Sequence, residues 1–390
     1  MSSTLRIPLA TALGVATLLV ATVACDEQAS SAPVDQLRAD TEAIHALGIS
    51  GVQARVIGPD GRQFVVASGT ADRNTGSPVP TDGYFRMAST SKTLVATVIL
   101  QLEAEGRLSV DDTVDHWLPG VVQGNGNDGS RITVRQLLQH TSGIHDDLPG
   151  YTTPEEYYQQ RNDVYSAEQL VARAMAHAPD FPPGEGWQYS NTGYLLLDMI
   201  IEKATGRPAH QEIEDRILRP LGLDHTLLMG TSPTLPQPHA QAYQLFAPGS
   251  EVDITDQIPA DQNLSWVTTT QDENDFFRAL LSGRLLPARQ LAEMKQTVPV
   301  SGEVQQLWPG GRYGLGLAER PLSCGGTYWS HEGGDAGYIT HNGVTDDGRR
   351  SAVVSMSEAL GDTPEHILEQ EKAGSALIDH TLCAADPGTP

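Results

Sequence analysis

Lys92, one of only four lysines in a chain of 390 residues, stands three positions after Ser89 in the segment FRMASTSKTLVA (85–96). The apolar run that follows, TLVATVILQLEAEG, predicts a helix from Ser89 to about Gly106. Side chains three apart on a helix share a face, about 5–6 Å apart at Cβ. A cation in the first turn opposes the positive end of the helix dipole at a cost of roughly 0.3–1 kcal/mol, so a purely structural helix gains nothing from it. A serine hydroxyl is a weak nucleophile until a base takes its proton, and a lysine whose pKa is lowered can be that base. Burial lowers it, and so does the helix N-terminal field. The pair therefore reads as nucleophile and base, against the plain alternative that Ser89 merely caps the helix.

The elements that would position this pair change character along the chain. Asp35 to Gly48 has helical spacing, and the apolar segments 52–57 and 63–68 flank the turn-forming Gly-Pro-Asp-Gly, a β-hairpin signal. From Ser89 to about Arg284 the pattern is helices and long loops, with predicted helices at 132–140, 167–178, 190–206 and 272–281. Strand signals return at 312–319, 338–344 and 351–356, and 364–382 closes as a helix. Sheet elements bracket a helical middle. That predicts an α+β fold with one antiparallel sheet covered by the terminal helices, a helical lobe alongside, and a site in the groove between them.

The segment FRMASTSK resembles the F-R-x-x-S-x-x-K box of penicillin-recognising serine hydrolases, in which S-x-x-K supplies the nucleophile. Two further boxes of the D-Ala-D-Ala carboxypeptidase and class C β-lactamase branch have counterparts in order. Tyr189-Ser190-Asn191 is similar to its Y-x-N box, and His331-Glu332-Gly333 to its H-x-G box. The likeness covers roughly residues 52–383, through ITVRQLLQHTSGI, FPPGEGWQYSNTGY, YGLGL and LSCG, and is greatest to secreted actinomycete D-Ala-D-Ala carboxypeptidases. It implies a β-lactamase/transpeptidase-like fold with a five-stranded antiparallel sheet. The catalytic domain would span 35–385, with a sheet lobe at about 35–86 and 285–385 and a helical lobe at about 87–284.

The resemblance also implies roles. Ser89 forms an acyl-enzyme, Lys92 and Tyr189 relay the proton, and Asn191 holds the acyl amide. His331 bonds Tyr189 or the substrate, and the backbone N–H groups of Ser89 and Gly334 hold the oxyanion. Gly333 and Trp266 line the groove, and no cofactor is needed. β-Lactams would bind covalently, and peptides, amides or esters would be substrates. The expected activity is that of a D-Ala-D-Ala carboxypeptidase, with an esterase or D-aminopeptidase of the same fold as the alternative. A non-catalytic penicillin-binding module is disfavoured by the intact Ser89, Lys92 and Tyr189. The alternative gains from a departure. Where the carboxypeptidases hold a substrate carboxylate with an arginine and two hydroxyls, this chain has Ala318, Glu332 and Gly334. Arg320, two residues on, and Arg312 are the candidates to compensate, while Glu332 would meet a substrate ammonium. A second departure is the shortened segment LSWVTTTQDEND, which alters a groove wall at Trp266.

His140 and His145 in HTSGIHDD are five apart, which is not the i,i+4 spacing of a helical zinc motif, so no metal is assigned. The formal net charge of −24 disfavours nucleic acid as a partner. Arg6 precedes 18 uncharged residues ending ATVA before Cys25, which reads as an export signal over 1–24, with 25–34 as a linker. Lipidation of Cys25 and plain secretion are the two outcomes, and a lipid would be the sole membrane attachment. In an oxidising compartment Cys324 and Cys383 are expected to pair. A monomer is expected.

Overall fold

The computed structural model describes residues 34–261, 265–335 and 337–384. The expected export segment and Cys25 lie outside them. Helix α1 (34–45) leads into strands β1 (Gly51–Ile57) and β2 (Gln63–Asp72), paired in the anticipated hairpin with Val52 opposite Ser68 and Ile57 opposite Gln63. A two-residue strand β3 (Phe85–Arg86) precedes a 3₁₀ turn (Ala88–Ser91) that runs into α2 (Lys92–Ala104). Ser89 therefore sits in the turn, and Ser91 occupies the cap position without a side-chain cap bond. Helix α2 is buried on nearly every side, as befits a central helix.

Helices α3 (Val134–Leu138) and α4 (Ala167–Ala174) pack on α5 (Asn191–Thr205), which in turn packs on α2, in one apolar core. Thr133 and Ser166 start the first two with reciprocal capping boxes to Gln136 and Gln169, and Ser190 caps α5 by accepting from the Gly193 N–H. Strand β4 (Trp266–Thr268) pairs with β3, and Thr269 caps α6 (Thr270–Leu281).

The chain then returns to the sheet through β5 (Ala318–Pro321), β6 (Thr327–Ser330), β7 (Gly333–Asp335), β8 (Tyr338–Val344) and β9 (Ser351–Met356), and ends in α7 (Pro364–Cys383). The sheet order is β5-β6-β8-β9-β1-β2, and β7 pairs only with β8. With two-residue strands at both edges the sheet has ten strands among the described residues, where five were expected. The expected strand 312–319 is also interrupted. Gly314 N–H donates to Leu317 O at 2.8 Å, closing a turn in YGLGL, so only Arg312–Tyr313 and Ala318–Pro321 pair. Gly316, at φ +73°, lies so near α2 that a Cβ would come within 2.4 Å of the Ala96 Cβ.

Period-2 alternation sends Val52, Ala54, Val354 and Met356 to the face covered by α1 and α7, where they meet Leu37, Ile44, Leu377 and Ile378. Helix α6 covers the opposite face, where Arg55 Nε donates to Thr270 Oγ1. Cys324 and Cys383 form the expected disulfide, 5.8 Å apart at Cα, joining the β5–β6 turn to the end of α7. Among the described residues no helix is long and apolar enough to cross a membrane.

Candidate active site

The nucleophile candidate is held by backbone before any side chain acts. Met87 N–H donates to Trp266 O at 2.8 Å, and the next residue, Ala88, has φ +49°. That left-handed value is uncommon for a residue with a Cβ and stores strain beside Ser89. Trp266 thus serves through its carbonyl. Its ring is 1% exposed in the helical core and does not line the groove as expected, because β4 turns it inward opposite Leu228.

Lys92 is 1% exposed, and its Nζ donates to Asn191 Oδ1 at 2.7 Å and Ser89 Oγ at 3.2 Å. Its Nζ also lies 5.1 Å from the Tyr189 ring centre and 5.5 Å from that of Tyr194. The Tyr189 hydroxyl is buried and has no hydrogen-bond partner among the described residues. Leaving such a group unpaired costs about 1–3 kcal/mol, so it stands ready for a water or a leaving group. Ser89, Lys92, Asn191 and Gly334 line one cavity of about 390 Å³, which brings both expected oxyanion donors to the same space.

Sequence reasoning missed three supports. Asp146 accepts from Asn191 Nδ2 at 2.8 Å and from the Thr192 N–H at 3.0 Å, fixing the amide that Lys92 uses. His140, at φ +60° and wholly buried, stacks 4.3 Å from the Tyr189 ring and accepts from the Ser190 N–H at 3.2 Å through Nδ1. Burial, with the charge of Lys92, pushes His140 well below its ordinary pKa, so it is neutral. Both residues belong to HTSGIHDD, where the histidines and carboxylates were visible but were tested only as metal ligands. His145 instead faces Asp180 at 2.8 Å on the surface. The third support, Tyr313, stands in YGLGL.

His331 does not reach Tyr189 or the cavity, as had been expected. It is buried behind the site, where Nε2 accepts from Tyr313 Oη at 2.8 Å and Nδ1 donates to Glu332 O at 2.9 Å. Burial, with the charge of Lys92, pushes it down to about 4. Two neutral imidazoles therefore back the site. Asn342 locks the box strand from behind. Its Oδ1 accepts the His331 N–H at 2.9 Å, and its Nδ2 donates to His331 O and to Glu273 Oε1. Gly333 earns its place by contact, since a Cβ there would lie 2.3 Å from Met87 O and 2.9 Å from Thr90 Oγ1.

Arg320 and Glu332 are corrected as groove residues. Arg320 Nη1 pairs with Glu332 and, at 3.4 Å, with Glu371; Nη2 donates to Ser375 Oγ at 3.0 Å. Glu332 also accepts from Trp308 Nε1 at 2.8 Å and lies 3.2 Å from His341. The alternation that aims Trp329 and His331 at the helical lobe turns Glu332 the other way, under α7. Burial would raise its carboxyl, but Arg320 and His341 hold it below its ordinary value. Burial and the charge of Glu332 push Glu371 up to about 7. Glu332, His341 and Glu371 are close enough for a metal, yet Arg320 already fills that role. Arg312 donates to Thr297 Oγ1 and Thr297 O.

The beta-lactamase family model matches residues 35–377. The chain belongs to the beta-lactamase family. Within it the chain is similar to penicillin-binding protein 4* of Bacillus subtilis strain 168, 36% identical over 159 residues, covering 40% of this chain and 33% of that protein. Esterase EstB of Burkholderia gladioli is 37% identical over 174 residues, covering 40% of this chain and 41% of the esterase. The chain thus spans less than half the length of these relatives. The crystal structure of a D-stereospecific amidohydrolase from a Streptomyces species superimposes with a TM-score of 0.79 at 37% identity, covering 90% of this chain and 99% of that one.

Proposed function

We propose that the chain is an exported serine acyl hydrolase acting on amides and esters of D-amino acids and short D-peptides. Ser89 Oγ attacks the carbonyl while Lys92, as the neutral amine, takes its proton. The backbone N–H groups of Ser89 and Gly334 receive the oxyanion, Asn191 steadies the acyl group, and Tyr189 passes the proton to the leaving group. Water then cleaves the acyl-enzyme by the reverse relay.

The observation that carries this reading over a carboxypeptidase is the commitment of the clamp candidates. Arg320 is 5% exposed and paired with Glu332 and Glu371, while Arg312 is tied to Thr297. Tyr189, and with it the leaving-group side, packs among Trp187, Tyr313, Ala318 and Trp308. A terminal carboxylate there meets aromatic surface, and losing a charged hydrogen bond costs about 1.5–3 kcal/mol. Ammonia, an amine or an alcohol leaves without that cost. The acyl side is acidic: Asp335 lines the cavity on the same strand as Gly334 and suits a substrate ammonium. Similarity to the Streptomyces amidohydrolase and to the esterase points the same way.

D-Ala-D-Ala carboxypeptidase action remains a second reading, favoured by the similarity to penicillin-binding protein 4*. Rates on D-alaninamide, D-alanine methyl ester and D-Ala-D-Ala separate the two. The amide or ester should be hydrolysed at least as fast as the dipeptide. A tenfold preference for the dipeptide would overturn the proposal.

A further inference from the structure

A second cavity, of about 290 Å³, adjoins the first, and Tyr165 and Asp261 belong to the walls of both. Its lining includes Glu168 from α4, Asp198 and Glu202 from α5, and His210, with no lysine or arginine among the described residues. Acidic side chains on a surface are common, but Asp198 is not on the surface. It is 5% exposed and lines this cavity, and its Oδ1 is buried without a hydrogen-bond partner among the described residues. Burial and the charge of Asp261 push its carboxyl well above the ordinary range, and Lys92 opposes them. A buried carboxyl that the protein leaves uncompensated on a cavity wall calls for a cation from outside.

Position says which cation. Asp198 follows Asn191 by seven residues on α5, two turns along the same face and about 10 Å away. Tyr189 protonates the leaving group, yet neither Tyr189 nor its neighbours Trp187 and Trp308 line the first cavity. That cavity therefore receives the acyl part of the substrate, and the acidic annex lies beyond it on the acyl side. A lysine-type side chain extends roughly 6 Å from its Cα. An ammonium–carboxylate contact adds about 2.8 Å.

We propose that the annex bounded by Asp198, Glu202, Glu168 and Asp261 is a subsite for a primary ammonium carried at the end of a lysine-length side chain on the acyl residue of the substrate. This rests on the hydrolase reading above and adds to it a preference for cationic D-amino-acid derivatives. No bond is made or broken in the annex. Its acidic side chains take the ammonium, Asp198 giving its proton to water as the cation binds, while the carbonyl lies at Ser89.

D-lysinamide and D-norleucinamide differ only by the terminal ammonium, so the ratio of their kcat/KM values isolates the annex. The wild-type ratio should exceed ten in favour of lysine and should fall toward one in Asp198→Asn. Because Asp198 is buried, Glu202→Gln at the more exposed rim serves as a second variant and should lower the ratio several-fold. A wild-type ratio near one, or a ratio unchanged in a folded Asp198→Asn protein, overturns the proposal. If neither amide is turned over, the hydrolase reading fails, and binding decides for the annex. Calorimetric binding of 1,5-diaminopentane that Asp198→Asn abolishes supports it. No binding, or loss of calcium binding in place of the amine, refutes it.

Discussion

Two polar clusters are buried in the molecule, and they are built to opposite ends. Around Ser89, Lys92 has two oxygen partners, but Tyr189 is left with an unpaired hydroxyl on the leaving-group side. Around Arg320, charge is matched by charge: Glu332, Glu371, His341, Ser375 and Trp308 all converge, away from the first cavity. The first cluster leaves a hydroxyl open on the leaving-group side, and the second pairs its charges with one another. A buried charge by itself is weak evidence of function. An unpaired group beside a cavity is better evidence.

Substitutions should divide the two clusters sharply. Ser89→Ala should abolish labelling by a fluorescent penicillin on a denaturing gel, and Lys92→Met should slow acylation by about 10²–10⁴. Neither should lower the urea midpoint, since relieving a strained site leaves stability unchanged or raised. Wild-type labelling of Ser89→Ala would remove the nucleophile assignment. In the closed cluster the readouts exchange places. Arg320→Met strands Glu332 and should cost about 3–5 kcal/mol of unfolding free energy, with Arg320→Met/Glu332→Gln regaining much of it. If the single variant is as stable as wild type, the cluster is not held by charge pairing.

The disulfide should act on the closed side. It spans a sequence separation of 59 residues and pins α7, which carries Glu371. On the chain-entropy model the bridge contributes about 4 kcal/mol. Cys383→Ala should lose about that in urea unfolding while molecules still folded label normally. Loss of labelling without loss of stability would tie the bridge to the site.

The smallest effect concerns Glu273, behind the box strand. Burial pushes its carboxyl up to about 8 from the ordinary 4.5. The folded state therefore keeps a proton that the unfolded chain releases. Its contribution is complete below about pH 4.5 and is lost as pH rises through about 8. Between pH 5 and 9 the Tm of wild type should fall relative to Glu273→Gln by a few degrees. Parallel curves would show that the group does not titrate in that range.

What the sequence made legible follows from distance along the chain. Ser89 and Lys92 are one turn apart, and Tyr189 and Asn191 share a three-residue box, so local spacing and resemblance found them. Asp146 meets Asn191 across 45 residues, and Tyr313 meets His331 across 18. Such meetings depend on how loops pack, which spacing does not encode. Arg320 and Glu332 were misplaced for a related reason. Alternation along a strand tells which residues share a face, but not that α7 would cover that face with Glu371 and Ser375. The sheet lobe's hairpin and terminal helices were legible from periodicity, whereas two-residue edge strands are too short to have a period.

The contact at Gly333 makes the site a gauge as well as a catalyst. The strand bearing the oxyanion donor rests directly on the carbonyl of Met87, two residues before the nucleophile, so the gap between them is set by one backbone against another. Backbone has no rotamers with which to yield. Adding a methyl group would ask for more than an ångström of separation to restore ordinary contact from 2.3 Å. The clearance at the reacting carbon is thus machined by a missing side chain, and a lone hydrogen at that position holds the tolerance on which every chemical group around it depends.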